Sequence, residues 1–168
     1  MLNMNIKPGA YVVFAGFVTS IFVLYFYYVP FTKQILPMSF HTQITKQTEE
    51  NQDFRQVLFT GQKTQIVVMS IPPGGEVGEE RHMHVEQVLY FQSGTGEAIL
   101  DGKKSLIAPG DLVVVSPGTL HNFRNTGSVP MKIMTVYSPP NHIDGRVQHT
   151  IADEKTDTAD EAFGESVR

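Results

Sequence analysis

The stretch that decides the fold is GGEVGEERHMHVEQVLYFQSGTG, which runs from Gly74 to Gly96. It places three potential metal ligands at alternate positions: Glu80, His82 and His84. On a β-strand, side chains at i, i+2 and i+4 share one face, so all three would point the same way. This alternation indicates a pair of metal ligands. It does not decide between the pair 80/82 and the pair 82/84.

The sequence around this stretch is typical of an all-β domain. From about Phe54 to Thr150, short apolar runs are separated by Gly, Pro and Asn. The dipeptide Asp101-Gly102 is a strong hairpin signal because both residues tolerate a positive φ. Short strands at regular intervals predict a sandwich or a small barrel. The predicted strands are RQVLFT, QIVVMSI, EQVLYFQ, GEAIL, KKSLIA, DLVVV, HNFRN and MKIMTVY.

The opening stretch resembles the first motif of the cupin superfamily, G-x5-H-x-H-x3-4-E-x6-G. Reading from Gly74 gives five residues, Glu80, one residue, His82, four residues, Gln87, six residues and Gly94. Every spacing matches, with Glu80 in place of the first His and Gln87 in place of the acid. The resemblance therefore favours the pair 80/82.

A second stretch, GDLVVVSPGTLHNFRN, resembles the second cupin motif, G-x5-P-x-G-x2-H-x3-N. It supplies Gly110, Ser116 in place of Pro, Gly118, His121 and Asn125 at matching spacings. The later stretch YSPPNHIDGRVQHT resembles the ending of single-domain, mannose-6-phosphate-isomerase-like cupins. The resemblance implies an all-β, double-stranded β-helix, a jelly-roll barrel of the kind that commonly forms homodimers.

The resemblance also implies a metal site at the barrel mouth, with Glu80, His82, Gln87 and His121 as ligands. Exchanging imidazole for oxygen donors favours harder ions, so Mn²⁺ or Fe²⁺ is expected ahead of Zn²⁺ or Ni²⁺. Four protein ligands would leave positions for a small polar molecule on the ion.

Other polar residues have secondary roles in this interpretation. His84 and Glu86 are candidates for moving protons, and His84 is the substitute ligand if Glu80 points outward. His142 and His149 follow the last predicted strand and are expected at the surface, although that segment could cover the barrel mouth.

The N-terminal segment predicts a membrane anchor. No residue between Lys7 and Lys33 carries a charge, and AYVVFAGFVTSIFVLYFYYVPF is apolar on every face. This length suits one transmembrane α-helix, and it exceeds the apolar core of a cleaved signal peptide. Lys7 and Lys33 nearly balance, so the side of the membrane is undecided.

Composition excludes several classes of function. The formal charge of −4 at pH 7 gives no basic surface for nucleic acid, and the absence of cysteine removes disulfides and thiolate sites. The last residues are acidic and poor in large apolar side chains, which predicts disorder. The predicted parts are a short tail (1–8), a transmembrane helix (9–31), a linker (32–52), the cupin barrel (53–151) and an acidic disordered tail (152–168).

Two functions follow from this sequence. The first is a single-pass membrane protein whose metal-binding cupin domain binds or acts on a small polar molecule, with carbohydrate isomerase or dioxygenase chemistry as candidates. The second is a non-catalytic ligand-binding or sensor module with a degraded metal site, because two first-motif ligands depart from the pattern. Whether the protein is an enzyme is left open by the sequence.

Overall fold

The computed structural model describes the strands Val12–Val18 and Ile21–Tyr27 and residues 39–167. The chain divides into two compact units, Met1–Met38 and Ser39–Arg168. The candidate site lies in the second unit.

In the N-terminal unit, two antiparallel strands replace the predicted helix of residues 9–31. β1 (Val12–Val18) pairs with β2 (Ile21–Tyr27), from Val12 opposite Tyr27 to Val18 opposite Ile21. Among the described residues, no helix has the length and apolar character needed to cross a membrane. The run is rich in β-branched and aromatic residues, which favour strands, and a run that is apolar on every face carries no periodicity to separate the two structures. The predicted tail 1–8 lies outside the described residues.

The eight predicted strands of the second unit are confirmed. A ninth, two-residue strand near the C-terminus was not predicted. Their bounds are β3 (Arg55–Thr60), β4 (Gln65–Ile71), β5 (Glu86–Ser93), β6 (Gly96–Leu100), β7 (Lys103–Ile107), β8 (Leu112–Val115), β9 (His121–Asn125), β10 (Met131–Ser138) and β11 (Val147–Gln148).

These strands form two sheets that enclose one core, as the all-β prediction requires. One sheet has the order β11-β3-β4-β10-β5-β8, and the other has the order β7-β6-β9. Phe91 of β5 and Phe123 of β9 are fully buried, and their rings lie 5.5 Å apart, so they join the two sheets. The predicted hairpin is also present: Asp101 and Gly102, with φ of 46° and 77°, connect β6 to β7.

The predicted linker 32–52 contains a helix in its described part. α1 spans Ile44–Glu50, and Thr48 on it is buried. Lys132 of β10 donates a hydrogen bond to the carbonyl of Asn51, which is also buried. The segment has too few apolar residues to show a period, but its polar groups bond to the barrel.

The predicted disorder of residues 152–168 is wrong over most of its length. Two short helices follow the barrel, α2 (Ile151–Thr156) and α3 (Thr158–Ser166). Thr150 and Asp153 form a capping box at the start of α2, and the Asp157 side chain caps α3 by accepting from Asp160 N. The acidic residues that suggested a solvated tail therefore serve as helix caps. We refer to α2 and α3 together as the C-terminal cap.

Candidate metal centre

A cavity of about 720 Å³ lies between the first-motif loop, residues 76–85, and the C-terminal cap. Glu80 and His82 line it, together with residues of α2 and α3. Such a volume is in the range of small-molecule sites.

Three of the predicted ligands lie close together, and two of them, Glu80 and His82, line this cavity. Glu80, His82 and His121 each offer a ligand atom, and these atoms all lie within 4.8 Å of one another. Glu80 Oε2 is 3.4 Å from His82 Nε2 and 3.7 Å from His121 Nε2. Ligand atoms bound to one ion at about 2.1 Å lie roughly 3.0 to 3.4 Å apart, so the spacing is close to that of a shared ion. We call these three residues the donor cluster.

Backbone hydrogen bonds, rather than strand alternation, position the donor cluster. Residues 81–85 are not part of a strand. Instead, Glu80 and His121 form an isolated bridge, in which each N–H donates to the other residue's carbonyl at 2.9 Å. Gly118 N donates to His82 O at 2.8 Å, which fixes the loop beside the second motif. The strand geometry expected for residues 80, 82 and 84 is therefore absent, although Glu80 and His82 still converge and all three residues line the cavity.

The facing atoms of the donor cluster are buried and lack hydrogen-bond partners. This holds for Glu80 Oε2, His82 Nε2 and His121 Nε2 among the described residues. Leaving a buried polar atom unpaired costs about 1–3 kcal/mol, and three such atoms around one point are explained by a bound ion. The residues present therefore fit a metal.

His121 is prepared to act as a ligand. Its Nδ1 lies 3.0 Å from the carbonyl oxygen of Thr119, so Nδ1–H donates there and Nε2 keeps its lone pair. Burial is the largest influence on the pKa of His121 and lowers it, which keeps the ring neutral. His82 Nδ1 lies 3.4 Å from the side-chain amide of Asn141, so the position of the second imidazole is also supported.

Arg55 is a buried partner of Glu80 that the sequence reasoning missed. Its Nη2 donates to Glu80 Oε1 at 3.0 Å, and Nη1 donates to Gln148 Oε1 at 3.2 Å. Burial alone would raise the pKa of Glu80, but the Arg55 charge and the two imidazoles lower it, so the carboxyl is ionised. Arg55 thus occupies one carboxylate oxygen and leaves the other for the donor cluster. The sequence did carry one signal of this burial. Arg55 and Val57 are two positions apart on β3 and so share a face, and Val57 is buried.

Gln87, the fourth predicted ligand, is buried on β5. Its amide nitrogen donates to Thr135 Oγ1 at 3.2 Å. Its carbonyl oxygen Oε1 is buried and has no hydrogen-bond partner among residues 39–167. The free oxygen is the atom that a metal ligand at this position would use.

The two predicted proton carriers lie at different places. His84 is exposed at the edge of the cavity, so its proposed role stays a prediction. Glu86 is exposed at the first residue of β5 and is not among the residues that line the cavity, and its proposed role also stays a prediction.

His142, expected at the surface, is instead buried in the cavity wall. Its Nδ1 lies 2.7 Å from Asp160 Oδ2 on α3, and its ring stands edge-on to Tyr137 with centroids 4.8 Å apart. The Tyr137 ring is in turn 6.0 Å from His82. His149 is exposed as expected and contacts Asp53. The spacing of 18 residues between His142 and Asp160 gave no local signal of their contact.

Comparison with known proteins identifies the family. The family described as "Cupin domain" matches residues 67–137. The crystal structure of BH2720 from Bacillus halodurans is 33% identical, covers 71% of this chain and 95% of its own, and superimposes with a TM-score of 0.69. The protein belongs to the cupin superfamily. Its candidate metal centre thus lies where the two cupin motifs meet.

Two further relatives bear on the function. The uncharacterized protein YrkC of Bacillus subtilis is 36% identical over 123 residues, which is 70% of this chain and 66% of YrkC. The oxalate-binding protein of Thermotoga maritima is 31% identical over 68 residues, 40% of this chain and 56% of that protein. This cupin thus spans less than two thirds of either relative, and the family relationship itself names no reaction.

Proposed function

We propose that this cupin binds a divalent metal ion through Glu80, His82, Gln87 and His121 and uses it to hold a small polar molecule in the cavity. The observation that carries the proposal is the donor cluster, with three buried, unpartnered ligand atoms within 4.8 Å. The free carbonyl oxygen of Gln87 supports a fourth ligand.

The donor set favours Mn²⁺ or Fe²⁺, with Zn²⁺ or Ni²⁺ as alternatives. Two oxygen donors beside two imidazoles suit a harder ion. Arg55 neutralises the Glu80 charge through its 3.0 Å contact, so we expect weaker binding than a free carboxylate would give.

Each protein group has a defined task in this arrangement. When bound, the ion would polarise an oxygen of the small molecule. Arg55 fixes the direction of the Glu80 carboxylate, and the Thr119 carbonyl fixes the His121 ring. His84 is placed to exchange protons with solvent at the cavity edge. Isomerase and dioxygenase chemistry are both compatible with this set of groups.

The alternative is a binding or sensor module that works without a metal. Arg55 favours it, because a buried guanidinium already supplies a positive charge to Glu80. The partial likeness to an oxalate-binding protein supports a binding role of either kind.

Metal content of the full chain tests the proposal. After dialysis against Mn²⁺ or Fe²⁺ and removal of free ion, elemental analysis should give about one ion per chain, and none in His121→Ala. His149→Ala is the matched control, since that histidine is exposed and does not line the cavity. A native chain that retains no ion, or a His121→Ala chain that keeps it, would contradict the proposal and favour the metal-free module.

Membrane attachment remains a proposal that rests on the uncharged run between Lys7 and Lys33. The full chain should stay with the membrane pellet through an alkaline carbonate wash, and deletion of residues 1–38 should release it. Recovery of the full chain in the supernatant would rule the anchor out.

Homodimer formation also remains a proposal. β7 and β8 are edge strands, and they expose Leu106 and Leu112, which suits pairing of strand edges. We expect Leu106→Lys to convert a dimer to a monomer in sedimentation velocity, whereas Val129→Lys, at an exposed position outside the strands, should not. A native chain that sediments as a monomer would contradict this.

A further inference from the structure

The His142–Asp160 pair has a fixed arrangement of hydrogens. Asp160 Oδ2 lies 2.7 Å from His142 Nδ1, and Asp160 Oδ1 accepts from Ile143 N at 2.7 Å. Burial alone would raise the pKa of Asp160, but the hydrogen bonds from His142 and Ile143 lower it, so the carboxylate is ionised. A carboxylate can only accept, so His142 Nδ1 must carry the hydrogen.

The other ring nitrogen of His142 is buried without a hydrogen-bond partner in the described part of the chain. The His142 side chain is 6% exposed and lines the cavity, and its Nε2 has no hydrogen-bond partner among the described residues. Burial is the largest influence on the pKa of His142 and lowers it, so the ring is neutral. With the hydrogen on Nδ1, Nε2 offers a lone pair and can only accept a hydrogen bond.

The charge of the cavity selects against anions. Among the described residues, eight carboxylate side chains and three Lys or Arg side chains line it. Pairing removes some of these charges, since Glu80 pairs with Arg55 and Asp157 pairs with Arg146. The other carboxylates still outnumber the other cations that line the cavity. A dicarboxylate or phosphate would meet this negative field, whereas an uncharged or cationic molecule would not.

We infer that His142, oriented by Asp160, is a second binding point of the cavity, which accepts a hydrogen bond from a hydroxyl or ammonium group of the bound molecule. The inference rests on the proposed function and names its ligand class: a polyol or amino alcohol rather than a dicarboxylate. His142 and His82 both line the cavity, and both rings contact Tyr137, with centroid distances of 4.8 Å and 6.0 Å, so the two histidines are close enough for one small molecule to reach both.

The first test reads the histidine tautomer in the full chain, without metal or ligand. Long-range ¹H–¹⁵N NMR of histidine-labelled protein should show His142 protonated at Nδ1 and free at Nε2. Asp160→Asn should shift the hydrogen toward Nε2, because the amide nitrogen at position 160 can donate to Nδ1. Asp53→Asn, beside exposed His149, is the control and should leave His142 unchanged. A native His142 that carries its hydrogen on Nε2 would overturn the inference.

The second test uses two probes of opposite hydrogen-bonding character, xylitol as donor and oxalate as acceptor. Water-proton relaxation of the Mn²⁺-loaded full chain reports displacement of water by each probe. His142→Phe keeps a ring of similar shape, and we expect about tenfold weaker xylitol binding, the effect of one hydrogen bond, with oxalate unchanged. The control His149→Phe should bind both probes as the native chain does.

The outcomes separate this inference from the proposed function. A native chain that binds oxalate but not xylitol, or equal xylitol binding by His142→Phe, would overturn the inference while leaving the metal site intact. Absence of any Mn²⁺ relaxation signal would contradict the metal site. The xylitol titration is then read by calorimetry on the metal-free chain, with the same result expected for His142→Phe. Should His142→Phe fail to fold, Asp160→Asn replaces it, and weaker xylitol binding is again the supporting result.

Discussion

The two walls of the cavity differ in how their polar atoms are satisfied. On the barrel side, the donor cluster directs three buried atoms at one another with no hydrogen bond between them. On the side of the C-terminal cap, Asp160 uses both oxygens, for His142 and Ile143, and Asp157 accepts from Gln148. The carboxylates of the C-terminal cap are paired without a ligand, whereas the facing atoms of the donor cluster gain partners only from something that they bind. The difference separates the part that is proposed to bind the ion from the part that shapes the cavity.

The largest expected effect comes from removing Arg55, which pairs with Glu80 of the donor cluster. Arg55→Met should destabilise the chain by about 3–5 kcal/mol, because Glu80 would be left as a largely buried, unpaired carboxylate. Urea unfolding measures the loss.

A matched control is the half-exposed pair of Arg124 and Glu76, 3.4 Å apart. Arg124→Met should cost about 0–1 kcal/mol, the usual value for a surface ion pair. Equal losses in the two variants would show that burial of the Arg55 pair does not carry the energy assigned to it.

The next largest effect on the free energy of unfolding should come from binding of an ion to the donor cluster. Mn²⁺ at about 100 times its dissociation constant should stabilise the native chain by about 2.7 kcal/mol. The melting temperature should rise by on the order of 10 °C, as measured by calorimetry. His121→Ala should abolish the rise, and His149→Ala should retain it. An equal rise in His121→Ala would place the ion elsewhere.

On the cap side, Asp160→Ala should destabilise the chain by about 2 kcal/mol, because His142 and Ile143 lose a buried acceptor. Cleavage in α2 by trypsin at Lys155 should become faster. Asp153→Ala removes the bond from Thr150 N to the Asp153 side chain, one half of an exposed capping box, and should cost only about 1 kcal/mol. If Asp153→Ala proves the more damaging variant, capping rather than the bond to His142 holds the C-terminal cap.

Strands and turns of the barrel could be predicted because their causes are local. Asp101-Gly102 forms a turn because of its own backbone preferences. Apolar runs such as QIVVMSI form buried strands, whichever sheet they join. The donor cluster was predicted from motif spacing, but strand alternation failed there because residues 81–85 are held by bonds to the second motif. Local patterns thus found the scaffold and only part of the site.

The features that escaped prediction depend on partners far along the chain. Arg55 meets Glu80 across 25 residues, and no local pattern announces a buried pair. The acidic ending was interpreted as solvated because composition records charge but not the groups that pair with it, here His142 and Arg146. In the N-terminal run, an apolar sequence with no period fits a strand as well as a helix.

The smallest expected effect compares two histidines that each face an aspartate. The bond to Asp53 raises the pKa of exposed His149. Burial lowers the pKa of His142, although Asp160 acts in the opposite direction. NMR titration of the full chain should therefore move the two away from the ordinary value of about 6.5 in opposite directions. Asp53→Asn should return His149 toward that value and leave His142 in place.

The two shifts also predict opposite dependences of stability on pH. His149 contributes stability below its ordinary pKa, and this contribution is lost as pH rises through the raised value. His142 favours the folded chain above its ordinary pKa, and that contribution is lost as pH falls through the lowered value. The free energy of unfolding, measured chemically between pH 5 and pH 8, checks both dependences. Asp53→Asn should remove the loss of stability at rising pH, which comes from His149, and should keep the loss at falling pH, which comes from His142. If the pKa values of both histidines were raised, His142 would be as well hydrated as His149. The Nε2 atom of His142 would then no longer be a desolvated acceptor.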